Sequence, residues 1–290
     1  MPRVTTRESG SAAVGEVFVL EDERRQSRVE IAPKRGALVT SMRVFGRELL
    51  YLDQGTLEDA SKSVRGGIPV LFPSPGKLEG DAYREGDRTF EMKQHGFART
   101  LPWNVLGTRA ERSASVTLGL ASNKSTLSQY PWAFHASLSF SLSDAVLRIT
   151  SKVWNDAGSE LRFGLGYHPY FAVDDKAHVR VDTNATRAFD NVKKQAVPFR
   201  GFDFTGGEVD LHLLDHGSTE SALHFRDGAR IDVRASPEFG RWVVWSLPGK
   251  PFVCVEPWTC PGNALNTGER LIRLAPGGAH ESWVEIAFHR

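Results

Sequence analysis

Apolar and polar residues alternate with a period of two along most of this chain. That pattern is the strongest constraint on its fold. Leu138, Phe140 and Leu142 alternate with serines, Ser143-Asp144 supplies a turn, and Leu147, Ile149, Ser151 and Val153 resume the alternation. Side chains two residues apart share one face of a strand, so this segment reads as a hairpin with one face in a core. Residues 222–233 repeat the design around Asp227-Gly228, a dipeptide that accepts the positive φ of a tight hairpin turn. Residues 17–20, 29–31, 116–120, 241–246 and 283–288 read as further strands. A short helix over 56–62 and a turn near 126–130 are the main departures from strand patterning. Many short strands punctuated by glycine and proline imply an all-β sandwich or barrel. No repeat, linker or change of composition divides the 290 residues. Residues 1–13 read as a loose tail and 14–290 as one domain, with the last strand tied into a sheet.

The charge balance excludes some partners. Lys+Arg 36 against Asp+Glu 35 leaves a net charge of +1, so no global field attracts nucleic acid or a membrane surface. No apolar run reaches the roughly 18 residues of a membrane span. The polar first residues carry no secretory signal. Cys254 and Cys260 are too few to form a disulfide framework, and reduced thiols imply a cytoplasmic setting. Cys254 reads as a small buried apolar residue. A monomer or weak dimer is expected.

Three segments carry chemistry. Phe252-Val253-Cys254-Val255-Glu256-Pro257-Trp258-Thr259 is a strand-type run that delivers one carboxylate. Glutamate is depleted in strands and rarely buried alone, so a strand ending on Glu-Pro reads as placing Glu256 at a rim or in a cleft. Gln94-His95-Gly96-Phe97-Ala98-Arg99 groups an amide, an imidazole and a guanidinium, and the glycine implies a crowded backbone. Gly166-Tyr167-His168-Pro169-Tyr170-Phe171 sets a second imidazole among aromatics, where burial or a carboxylate can tune it. One carboxylate and two imidazoles make an acid–base set.

Other residues have weaker signals. In Arg65-Gly66-Gly67-Ile68-Pro69 the paired glycines would let backbone approach a ligand, though Arg65 alone reads as a solvated loop residue. Glu208-Val209-Asp210-Leu211-His212-Leu213 reads as an exposed strand face. His212 and His216 join no cysteine pair or HExxH helix, so no metal site is expected.

Taken in order, these segments resemble the aldose 1-epimerase (galactose mutarotase-like) superfamily, near its bacterial hexose-6-phosphate mutarotases. The matching stretches are Arg65 to Pro69, Gln94 to Arg99, His168-Pro169-Tyr170-Phe171, the Asp210 strand, and Val255-Glu256-Pro257-Trp258 with Asn263-Ala264-Leu265-Asn266. The resemblance implies a large antiparallel β-supersandwich with a cleft on one sheet. It implies anomer interconversion of an aldohexose or aldohexose 6-phosphate, with no cofactor. Glu256 takes the place of the general base and His168 that of the general acid. Arg65, Gln94, His95, Arg99 and Asp210 take substrate-binding places. The chain departs from the phosphate-using branch after Phe72, where a long polar stretch runs to Lys93, with Lys77 and Arg84 as possible added cations. A non-catalytic sugar binder remains open, as does a lyase or a glycosidase using Asp210 as its second carboxylate.

Overall fold

The alternating hairpin forms as read. In the computed structural model, which describes residues 1–290, Phe134–Ser143 and Val146–Asn155 pair antiparallel with Phe140 opposite Ile149. They sit in an eight-stranded sheet. Its order is Arg180–Val181, Glu220–His224, Arg230–Ala235, Ala279–His289, Val146–Asn155, Phe134–Ser143, Ala114–Ala121, Asn104–Ala110. The last strand of the chain therefore lies mid-sheet. A second eight-stranded sheet runs Gln195–Pro198, Arg187–Asp190, Val209–Leu213, Arg241–Ser246, Phe252–Trp258, Gly166–Tyr167, Val70–Leu71. Its eighth strand, Tyr170–Ala172, also pairs with Phe252–Trp258. A five-stranded sheet covers residues from Pro2 to Glu48. The fold is all-β and antiparallel.

One cluster of 64 buried residues joins the three sheets, with Phe140, Ile149 and Ile286 from the first, Val244, Val253 and Val255 from the second, and Leu20 and Val29 from the third. Each such side chain contributes roughly 1.5–3 kcal/mol by leaving water. The same alternation that sends Val253 and Val255 into this core sends Cys254 and Glu256 to the opposite face. Core packing thus fixes the direction of the site-bearing side chains.

Four expectations are corrected. The segment read as a loose tail contains the strand Pro2–Glu8, paired over its length with Glu16–Asp22. The short helix is Gln54–Glu58, begun by Asp53, whose carboxylate accepts from the Thr56 amide at 3.0 Å. In place of a turn near 126–130 stands the helix Lys124–Gln129, closed at its start by a reciprocal Asn123–Thr126 capping box. Finally, the strand does not end at Glu256 but runs through Pro257 to Trp258. Gly166–Tyr167 and Tyr170–Ala172 pair with it at 258 and at 252–254, so residues 255–257 lack a partner on that side. A proline without an N–H is tolerated where the ladder is open.

Candidate active site

That gap in the ladder is where His168 enters. Its backbone amide donates to the Pro69 carbonyl at 3.1 Å, and the Tyr170 amide donates to Gly67 O at 2.9 Å. The Arg65-to-Pro69 segment thus clips the His168 turn against the Glu256 strand. Its glycines serve packing against protein, not approach to a ligand as expected from the sequence. Gly67 has φ +66°, and a Cβ there would run into the Val39 carbonyl. Gly96, at φ +68°, is crowded in the same way by the Phe72 carbonyl, which answers the sequence expectation of a crowded backbone.

A cleft of about 710 Å³ opens over this face of the sheet, and all seven residues singled out in the sequence line it: Arg65, Gln94, His95, Arg99, His168, Asp210 and Glu256. Glu256 lies at its floor, 1% exposed, with Oε1 3.3 Å from His168 Nε2. Trp258 Nε1 donates to the other carboxylate oxygen at 3.1 Å. The His168 ring stacks on Tyr170 with centroids 4.5 Å apart and planes 11° apart. Burial pushes Glu256 well above the usual carboxylate range, and the charge of Asp210 adds to the effect. Burial pushes His168 well below the usual imidazole range, helped by the positive fields of His95 and Arg99. The mutual attraction of an ionised pair opposes both shifts, but burial at this depth favours the neutral forms.

Asp210 is not on an exposed strand face. Its Oδ2 accepts from Asn191 Nδ2 at 2.6 Å, and Oδ1 lies 3.4 Å from His212 Nε2. Lys194 Nζ donates to Asn191 Oδ1 at 2.7 Å, which fixes the orientation of that amide. The His212 ring stands edge-on to Trp258 at 5.2 Å. Arg65 and Arg99 both line the cleft, and neither forms an ion pair. Arg99 keeps one hydrogen bond, to Ser63 Oγ at 3.2 Å, and its buried Nε has no partner. Lys77 also reaches the cleft, whereas Arg84 does not.

Sequence reading missed Asn191, Lys194, His212 and Trp245 as lining residues. The period-2 rule could have found His212, since it shares a strand face with Asp210. Asn191 and Lys194 follow the strand Arg187–Asp190 in a loop without a local signature. It also missed that His168, Cys254 and Glu256 place three donor atoms within 4.8 Å of one another.

His95 is 9% exposed, sits at φ +72°, and its Nδ1 bonds the Pro75 carbonyl. Burial, then the charge of Arg99, push its imidazole down to about 4. The unfolded chain titrates near 6.5 and so binds more protons between those values. Stability is therefore full above about 6.5 and falls as pH drops toward 4, by up to ~3 kcal/mol from this group. His168 and His216 shift the same way. Thermal melts are expected to fall over this window, and His95→Gln is expected to flatten part of the slope. An unchanged slope in the variant contradicts the assignment.

A β-supersandwich with a carboxylate–imidazole pair at the floor of a polar cleft defines a sugar-processing acid–base enzyme. The aldose 1-epimerase family model matches residues 16–287. The chain belongs to that family and is an isomerase of the mutarotase type. It is 31% identical over 270 residues to a Cenchrus ciliaris protein named "Putative glucose-6-phosphate 1-epimerase", covering 82% of this chain and 73% of that one. The crystal structure of Slr1438 from Synechocystis sp. PCC 6803 superposes with a TM-score of 0.93 at 33% identity, covering 99% of both chains. Galactose 1-epimerase from Lactobacillus acidophilus NCFM shares the fold at a TM-score of 0.78 and 13% identity, over 100% of this chain and 99% of that one. The binder, lyase and glycosidase alternatives are not favoured. No helix is long and apolar enough to cross a membrane.

Proposed function

We propose that the chain interconverts the α and β anomers of an aldohexose 6-phosphate, with Glu256 as general base and His168 as general acid. Ring opening removes the proton on the anomeric hydroxyl and delivers one to the ring oxygen. The reacting form is the tautomer of the buried neutral pair in which Glu256 is a carboxylate and His168 an imidazolium; it carries the same number of protons. Each transfer leaves its group neutral, which is the direction burial favours. A raised carboxylate is the stronger base and a lowered imidazolium the stronger acid. The aldehyde then turns about C1–C2. Closure on the other face returns the anomeric proton from Glu256 and takes the ring hydroxyl proton at His168. The proton count balances over the cycle.

Asp210 accepts from a sugar hydroxyl through the oxygen that Asn191 leaves free, and Gln94 and His95 complete the polar wall. One observation carries the phosphate: Arg65 and Arg99 share the cleft without a carboxylate partner, and Lys77 lines it too. Two planar donor forks suit a phosphate dianion. The two buried free thiols, Cys254 and Cys260, agree with a reducing, cytoplasmic setting.

Anomerisation of glucose 6-phosphate and of glucose, on wild type and on Arg99→Ala, tests this reading. Loss of one charge-assisted contact costs roughly 1.5–3 kcal/mol, or about ten- to a hundredfold in kcat/KM. The loss is expected on the phosphorylated sugar alone. Equal losses on both sugars would mean that Arg99 does not read the phosphate.

A further inference from the structure

We propose that His168, Cys254 and Glu256 form a binding site for a thiophilic divalent cation, such as Cd²⁺ or Zn²⁺, that inhibits the enzyme. The thiol is the group that sets this apart from proton transfer, in which Cys254 takes no part.

The strand pattern creates the site. Cys254 and Glu256 are two apart on Phe252–Trp258 and share one face. His168 comes down beside them through the gap in the ladder at 255–257. The three donor atoms lie within 4.8 Å of one another. His168 Nε2 and Glu256 Oε1 are 3.3 Å apart. Two ligands bound at about 2.0–2.1 Å in a tetrahedron stand roughly 3.3 Å apart, so this pair already spans a coordination edge. A thiolate at about 2.3 Å needs an edge of roughly 3.6 Å, so closing the set takes about 1 Å of side-chain movement.

The surroundings suit a three-ligand site. Trp258 holds Glu256 Oε2 and leaves Oε1 free. Stacking on Tyr170 holds the His168 ring with Nε2 turned toward Glu256. Cys254 is wholly buried against Tyr170 and Phe252, below the cleft floor. His168 and Glu256 line the cleft itself, so the cation enters from there and its fourth position faces the sugar site. One thiolate and one carboxylate cancel a 2+ charge, so the buried complex is neutral overall. Sulfur among the ligands selects soft cations over Mg²⁺ or Ca²⁺.

Binding consumes the lone pairs that proton transfer needs, so inhibition is competitive with sugar. That consequence rests on the proposed roles of His168 and Glu256, whereas binding rests on geometry alone. Cys254 releases its thiol proton to solvent, and Glu256 releases its own when it carries one. No electron is transferred. Because the thiol must give up its proton to bind the cation, affinity rises with pH.

The test titrates the sugar-free protein with Cd²⁺, followed by the ultraviolet thiolate-to-cadmium charge-transfer band, alongside initial rates. One cation per chain is expected, with loss of activity in step with the band and both effects stronger at higher pH. Cys254→Ala is expected to raise the half-saturating Cd²⁺ concentration at least about a hundredfold, since even the partners of metal ligands are worth ten- to a hundredfold. Cys254→Ser gives the same reading if the alanine variant does not fold. Cys260→Ala, which removes the other buried thiol, is expected to leave the titration unchanged. A protein that lacks epimerase activity but shows the band overturns the catalytic reading and keeps the site. No band, a band lost only in Cys260→Ala, or activation by the cation overturns the site.

Discussion

Glu256→Gln is expected to lower turnover by about two to four orders of magnitude while the fold stays intact. The amide keeps the shape of the side chain and can still accept from Trp258 Nε1, now 3.1 Å from the carboxylate. It cannot take a proton. His168→Asn is expected to cost as much for the complementary reason, because it removes the donor to the ring oxygen. The two losses are not expected to add. The pair is proposed to act as a unit across 3.3 Å, so that with either member gone the other has no counterpart for its proton. KM for the sugar is expected to change far less than kcat, since both groups act mainly in the transition state. Single-turnover anomerisation followed by polarimetry or proton NMR measures this. Near-normal turnover in either variant removes that residue from the mechanism.

Glu256 was legible in the sequence for a physical reason, whereas the role of His168 beside it came from the family resemblance. A glutamate inside an apolar strand is costly unless it serves something, and Glu256 is the one carboxylate set in such a run beside proline and tryptophan. Period-2 alternation identified the strands around it, because core burial imposes that period on every strand with one wet face. The pairing of strands was not legible. Nothing local says that Ala279–His289 lies between Arg230–Ala235 and Val146–Asn155, since register over such sequence distances is set by packing. Pro2–Glu8 escaped notice because it is an exposed edge strand, with a polar pattern that resembles a tail. Asp210 was found only by resemblance. Its strand face looks solvent-facing from sequence, because a polar cleft and open water select the same residue types. The Cys254 thiol was read as filler because its neighbours His168 and Glu256 are remote or on the same strand, and no spacing rule joins them.

Phe72→Ala is expected to destabilise the protein by about 3–5 kcal/mol, and to weaken catalysis although Phe72 touches no substrate. The ring is 2% exposed and packs against Phe134 at 5.2 Å, Phe163 at 5.6 Å, Phe97 at 6.1 Å and Tyr130 at 6.3 Å between centroids. Phe134 belongs to the first large sheet, and Tyr130 ends the short helix before it. Phe72 follows the last strand of the second large sheet, Val70–Leu71, so the ring ties the two layers together below the cleft. Its backbone has a separate task. The Phe72 carbonyl accepts from the amides of Phe97 and Ala98 at 3.0 and 3.2 Å, which seats the turn between His95 and Arg99. Truncating the ring leaves a cavity that this segment can settle into, and a shift of about 1 Å at His95 and Arg99 is enough to cost up to about a hundredfold. Chemical denaturation gives the first quantity and kcat/KM the second. A loss of stability below about 1 kcal/mol would mean that the aromatic cluster collapses around the gap and that the site is braced elsewhere.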